Sequence, residues 1–226
     1  IGIIGAMEEE IDRIKEKMEV LKVDKISSFY FYIGKLCGRN IVLAKSNEGK
    51  VNSAMCTQTM ILKYEIDLVI NVGVAGSLTD KLNIGGIALT SRTVEYDFDT
   101  TALGYDLGYT FGVGSVYVNC AKELVECIRN VSSKMYNTVC GTILSSDKFV
   151  SDESTKKFLK ENFEDCIAVD METASINHVC SLNNIPFCGI RAISDSTQAI
   201  EYRKFVNIAT ENLFSVLCKY LEYTSK

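Results

Sequence analysis

Asp67-Leu68-Val69-Ile70-Asn71-Val72-Gly73-Val74-Ala75-Gly76 is the stretch that decides the fold. Its apolar run reads as a strand buried on both faces, ending in small residues. Those small residues let backbone approach a ligand closely. Equally, Gly73 or Gly76 supplies the positive φ of a tight turn. Residues 1–6 and 187–193 are similar buried runs. Strands are also predicted over 28–33, 40–45, 84–96, 138–144 and 166–169. Helical spacing separates them: Ile11, Ile14, Met18 and Leu21 form one stripe over 8–21. Further helices are predicted over 49–64, 118–131, 154–162, 171–182 and 205–221. Alternating strands and helices predict an α/β chain: a mixed, mainly parallel sheet covered by helices. A loop rich in Gly and Tyr spans 97–114 and is apolar enough for an interface.

Composition narrows the function. The chain has 226 residues, enough for one core and read as a single domain, 1–226. A net charge of −5 without basic runs argues against nucleic acid as a partner. No apolar stretch is long enough to span a bilayer, and no basic flank precedes the apolar start as a signal peptide requires. The chain starts at Ile rather than Met, so leading residues are expected to be missing. Nine cysteines, an odd number without CxxC pairs, point to free thiols in a reducing cytoplasm. The single imidazole, His178, makes a zinc site improbable and reads as structural.

In sheets of this kind ligands bind beyond the carboxyl ends of strands. Five such ends carry chemistry. Glu8, Glu9 and Glu10 open a helix, where acids also simply complement its dipole. The segment 71–76 is the second. Phe149, beside Val150, is either a platform for a flat base or a core residue. Asp170 and Glu172 sit at a strand-to-helix junction, where Asp170 is also a candidate N-cap. Arg191-Ala192-Ile193-Ser194-Asp195 ends an apolar strand with an acid, which is also a candidate cap. Glu10, Glu172 and Asp195 thus lie at three strand ends of one sheet. Carboxylates in one cleft suit cleavage of a glycosidic bond. One acid protonates the leaving group, and one carboxylate activates water.

Four motifs together strongly resemble the bacterial 5′-methylthioadenosine/S-adenosylhomocysteine nucleosidase family. They are Ile1-Gly2-Ile3-Ile4-Gly5-Ala6-Met7-Glu8-Glu9-Glu10, Asn71-Val72-Gly73-Val74-Ala75-Gly76, Val169-Asp170-Met171-Glu172 and Arg191-Ala192-Ile193-Ser194-Asp195. The resemblance implies a three-layer α/β/α sandwich, a homodimer, a nucleoside substrate and no cofactor or metal. It implies that Asp195 gives a proton to purine N7 and that Glu10 polarises the attacking water. It places Met171 and Glu172 on the ribose, Phe149 and the Val150 backbone on adenine, and Arg191 and Ser194 in the acid and water network. It assigns the 5′-thio pocket to Tyr202 or Phe205, with Leu103, Tyr105 and Phe111 from a partner subunit.

Four departures qualify that picture. Asp170 stands where Glu is usual, and shortens a side chain near the ribose. Val74 replaces a common Ser. The stretch from Asp195 to Tyr202 is about three residues short. Glu48 stands where relatives carry an apolar residue near the 5′ tail. It either selects a polar or cationic 5′ substituent or pairs with a surface Lys such as Lys50. The altered tail keeps nucleosidases of adenosine, 5′-deoxyadenosine or futalosine open. A phosphorylase is the nearest rival, but phosphate wants fixed Arg donors, and amide Asn71 and acid Glu10 occupy those places. A non-catalytic nucleoside-binding protein would need neither Glu10 nor Asp195.

Overall fold

The computed structural model describes residues 1–194 and 199–225, and of 199–204 the backbone. The chain runs β1 (Gly2–Gly5), α1 (Glu8–Lys17), β2 (Glu19–Ile26), β3 (Phe29–Leu36), β4 (Arg39–Lys45), α2 (Lys50–Lys63), β5 (Val69–Ser77) and β6 (Ile87–Glu95). It continues through β7 (Val118–Asn119), α3 (Lys122–Ser132), β8 (Thr138–Ser145), α4 (Glu153–Asn162), β9 (Cys166–Asp170), α5 (Thr173–Leu182), β10 (Phe187–Ile193) and α6 (Ala199–Thr224).

One mixed sheet holds all these strands, flanked by helices on both faces. Neighbouring residues show the layering. Ile3, Ile70 and Cys188 pack into the core shared with α1, α3 and α6. Their neighbours Ile4, Val69 and Phe187 pack into the core shared with α2 and α5. Side chains alternate across a strand, so β1, β5 and β10 feed both layers, and their sequences are largely apolar.

The sheet closes on itself at one end. β5 pairs with β10 in parallel and with β9 antiparallel, β9 with β8, β8 with β6, and β6 with β10. β1, β4, β3 and β2 extend from β5 as an open wing. The closure brings the ends of β9 and β10 beside the last residues of β5, and β1 pairs with its first residues.

Three local readings are corrected. The stretch 8–21 is not one helix: α1 stops at Lys17, and 19–26 forms an edge strand. Leu21, expected on the apolar stripe, is exposed there. Val118 and Asn119 pair with β6 before α3 begins. No turn occurs at 73–76; β5 runs straight through to Ser77, and neither Gly73 nor Gly76 has a positive φ. A Cβ on Gly73 would lie 1.8 Å from Arg191 Nη1 and 2.6 Å from Glu10 Oε1. The glycine makes room for those two groups. No helix among the described residues is long and apolar enough to cross a membrane.

Candidate active site

A cavity lies over the closed end of the sheet. Ala6, Met7 and Glu10 line it from the turn after β1 and the start of α1. Val74, Ala75 and Gly76 come from β5, and Ser194 from the end of β10. Asp170, Met171 and Glu172 come from the β9–α5 junction, and Lys148, Phe149 and Val150 from the segment after β8.

Glu10 faces inward while Glu8 and Glu9 do not. Glu8 binds Lys15 and Lys45 at 2.7 and 2.9 Å, and these cations hold it down at about 2. Glu10 is buried at position N3 of α1. Its Oε2 accepts from the N–H of Ala6 (2.7 Å) and Met7 (3.0 Å), and Oε1 accepts from the N–H of Val74 (2.9 Å). The bond to Met7 is the backward half of a capping box, so the dipole reading and the site reading hold together. Burial pushes the Glu10 carboxyl up, and Arg191 and the three backbone donors oppose it.

Arg191 is completely buried among the carboxylates. Its Nη2 lies 2.8 Å from Asp170 Oδ2 and also bonds Asn71 Oδ1; its Nε donates to Thr173 Oγ1 at 2.8 Å. Glu10 Oε1 stands 3.9 Å from Nη1, and Glu172 Oε2 3.8 Å from Nη2. Asp170 therefore serves chiefly as the partner of Arg191. It also accepts from Ser145 Oγ, Thr173 Oγ1 and the backbone N–H of Glu172 and Thr173, work close to the expected capping. Asn71 faces this network rather than the cavity, since its Nδ2 donates to Ile4 O.

Glu172 is buried at the cavity wall and accepts from Gly49 N–H at 3.0 Å. Burial first, then the charges of Asp170 and Glu10, raise its carboxyl from 4.5 to about 8, against Arg191 and Gly49. Such a group binds its proton more tightly folded than unfolded. Its contribution to stability is fully present below about pH 4.5 and is lost as pH rises through about 8. Glu172→Gln removes that penalty. Thermal melts should show the variant gaining over the parent as pH rises, by roughly 4 °C at pH 8 and nothing at pH 4.5.

Phe149 is 55% exposed at the cavity mouth and is no core residue. Leu103, Tyr105 and Phe111 do not line their own chain's cavity. Leu103 is 74% exposed, and Tyr105 and Phe111 stack with Tyr109 in an exposed aromatic cluster. Glu48 lines a second, polar cavity with Glu8, Glu9, Lys45, Asn47, Val206 and Asn207; Ala6 and Met7 line both cavities. Lys50 binds Glu95 and Asp97 instead of Glu48. Phe205 is half-buried beside Val206. Asp195 and the side chain of Tyr202 lie outside the described residues. His178 pairs with Glu95 at 2.9 Å, away from the cavity.

A family model of the phosphorylase superfamily matches residues 1–222. A 5′-methylthioadenosine/S-adenosylhomocysteine nucleosidase of Anoxybacillus flavithermus is 38% identical over 201 residues, covering 86% of this chain and 84% of its own. The chain belongs to this nucleosidase family of the phosphorylase superfamily. The Neisseria meningitidis nucleosidase, solved with methylthio-immucillin-A, superposes with a TM-score of 0.94 at 32% identity, covering 98% of both chains. The futalosine hydrolase of Helicobacter pylori superposes at 0.92 and 30% identity, over 98% of this chain and 97% of that one. The sandwich expected of the family is thus present. Sequence reading missed the tethering partners of Arg191 in this nucleosidase, namely Thr173, Asn71 and Asp170, and the donors Ala6 and Met7. A Glu at N3 of a predicted helix was the available signal for the last two.

Proposed function

We infer that the chain is an N-glycosyl hydrolase that cleaves 5′-methylthioadenosine and S-adenosylhomocysteine to adenine and the 5-thio-ribose. One observation carries the reading: Glu10, Met171, Glu172, Phe149, Val150 and Ser194 line a single cavity. Adenine stacks on Phe149, with the Val150 backbone at its edge and the small residues Val74, Ala75 and Gly76 beneath. Met171 and Glu172 hold the ribose. Glu10 takes a proton from water as its oxygen attacks C1′. The C1′–N9 bond breaks, its electrons pass to the purine, and Asp195 protonates N7. Asp195 follows Ser194 directly, and Ser194 lines the cavity. Asp195→Asn should lower kcat for adenine release about 10²-fold at unchanged folding; undiminished release would refute the acid assignment.

Hydrolysis is favoured over phosphorolysis by charge. Among the described residues the cavity is lined by one cation, Lys148, and by Glu10, Asp170 and Glu172. A phosphate dianion there meets acids rather than fixed Arg donors.

The chain acts as one domain within a homodimer, in which Leu103, Tyr105 and Phe111 of one subunit close the 5′ end of its neighbour's site. Exposure of these residues on the loop 97–114 supports this. A second reading concerns the 5′ substituent. The charged second cavity favours the amino acid end of S-adenosylhomocysteine, or another polar tail, over a methylthio group. Glu48→Ile should shift the ratio of kcat/KM toward methylthioadenosine by about 10-fold, roughly 1.4 kcal/mol. Unchanged ratios across methylthioadenosine, S-adenosylhomocysteine and adenosine would end that idea.

A further inference from the structure

Arg191 and Glu10 are buried side by side, yet they do not form the forked ion pair that such neighbours ordinarily adopt. The closest approach, Nη1 to Oε1, is 3.9 Å. The other edge of the guanidinium is held by three acceptors. Asp170 takes Nη2 at 2.8 Å, Asn71 shares Nη2, and Thr173 takes Nε at 2.8 Å. Each acceptor is itself fixed. Asp170 receives Ser145 and Thr173 hydroxyls, and Asn71 donates to Ile4 O at 2.8 Å. Glu10 meanwhile satisfies both oxygens with backbone N–H groups of Ala6, Met7 and Val74. Gly73, which has no Cβ, leaves the space that both side chains occupy.

We propose that Asp170 and Thr173, with Asn71, are positioning residues that tether Arg191 away from Glu10 and so leave its carboxylate free to accept a proton from water. The proposal rests on the reading of Glu10 as the base. Among the described residues, Glu10 is faced by Arg191 from β10 and by Glu172 from the turn before α5, with Asp170 behind Arg191. With the tether cut, Arg191 closes from 3.9 Å to the hydrogen-bonding distance of about 2.8 Å. A carboxylate so paired is a weaker base, protonated only at lower pH.

The test is the pH profile of kcat, which reports groups in the enzyme–substrate complex. Asp170→Asn weakens the tether at Nη2 and removes a charge; Thr173→Val removes its arm at Nε and leaves every charge in place. Both variants are first matched to the parent by thermal melt and KM. Expected are an acid limb shifted down by roughly one pH unit in Asp170→Asn, a smaller shift of the same sign in Thr173→Val, and a plateau lower by about 10-fold in each. An unmoved limb in Thr173→Val would overturn the proposal, because any shift in Asp170→Asn would then be lost charge alone. An equal loss at every pH in both would also overturn it, as plain structural damage. Glu10→Gln separates the two levels: an active Glu10→Gln refutes the base itself, whereas an inactive one with an unmoved limb in Thr173→Val refutes only the tether.

Discussion

Replacing Glu10 by Gln is expected to lower kcat for adenine release about 10³-fold, with KM changed by no more than a few-fold. The amide keeps the shape and can accept from Ala6 and Met7 N–H, the pair that now binds Oε2. Its NH2 group then faces Val74 N–H, which now donates to Oε1, and two donors meet. That mismatch costs stability by roughly 1–3 kcal/mol, since one buried donor is left unmade. What disappears is the capacity to take a proton from water. Steady-state kinetics alongside a melting curve separate the two effects. A kcat near that of the parent would show that water is activated elsewhere.

The second large effect is on folding. Arg191→Met should destabilise the protein by about 3–5 kcal/mol, because it leaves buried carboxyls without their cation. Glu10, Asp170 and Glu172 all lie within 4 Å of this guanidinium. Methionine fills much of the aliphatic stem, so the loss is electrostatic rather than a cavity. The expected fall in melting temperature is on the order of 10 °C near neutral pH. Its sign with pH follows from the acids. Protonating them removes the uncompensated charge, so the deficit should shrink as pH falls toward 5. Melts at pH 5 and pH 8 check this, and an equal deficit at both would contradict it. A well-packed apolar centre is often at least as stable as a buried ion cluster. Retention of the cluster therefore points to the chemistry it serves.

Much of this architecture is legible from periodicity. The span of β10 is read without error, and the two-faced burial of β1 and β5 follows from their unbroken apolar runs. Helix ends are read less well where edge strands intervene. Leu21 in β2 is exposed on an edge strand that pairs with β3, so its apolar character continues the stripe of α1 by chance. Acids at the end of β1 were legible in the sequence, but the resemblance, not the strand end, singled out Glu10 from Glu8 and Glu9. The role of Asp170 was not legible: the residue reads as a cap or a ribose contact, and its true partner lies 21 positions away on another strand. That pairing depends on the order of β9, β5 and β10 within the closed part of the sheet, which no local pattern encodes. Gly73 misleads for a similar reason. Its missing Cβ serves the approach of Arg191 and Glu10, not a turn.

The most direct measurement is adenine release from methylthioadenosine in phosphate-free H₂¹⁸O, with mass analysis of the sugar. Release without phosphate, and one ¹⁸O at C1 of the thioribose, is the result expected of a Glu10-activated water. Release only on addition of phosphate, with a phosphorylated sugar as product, would contradict it.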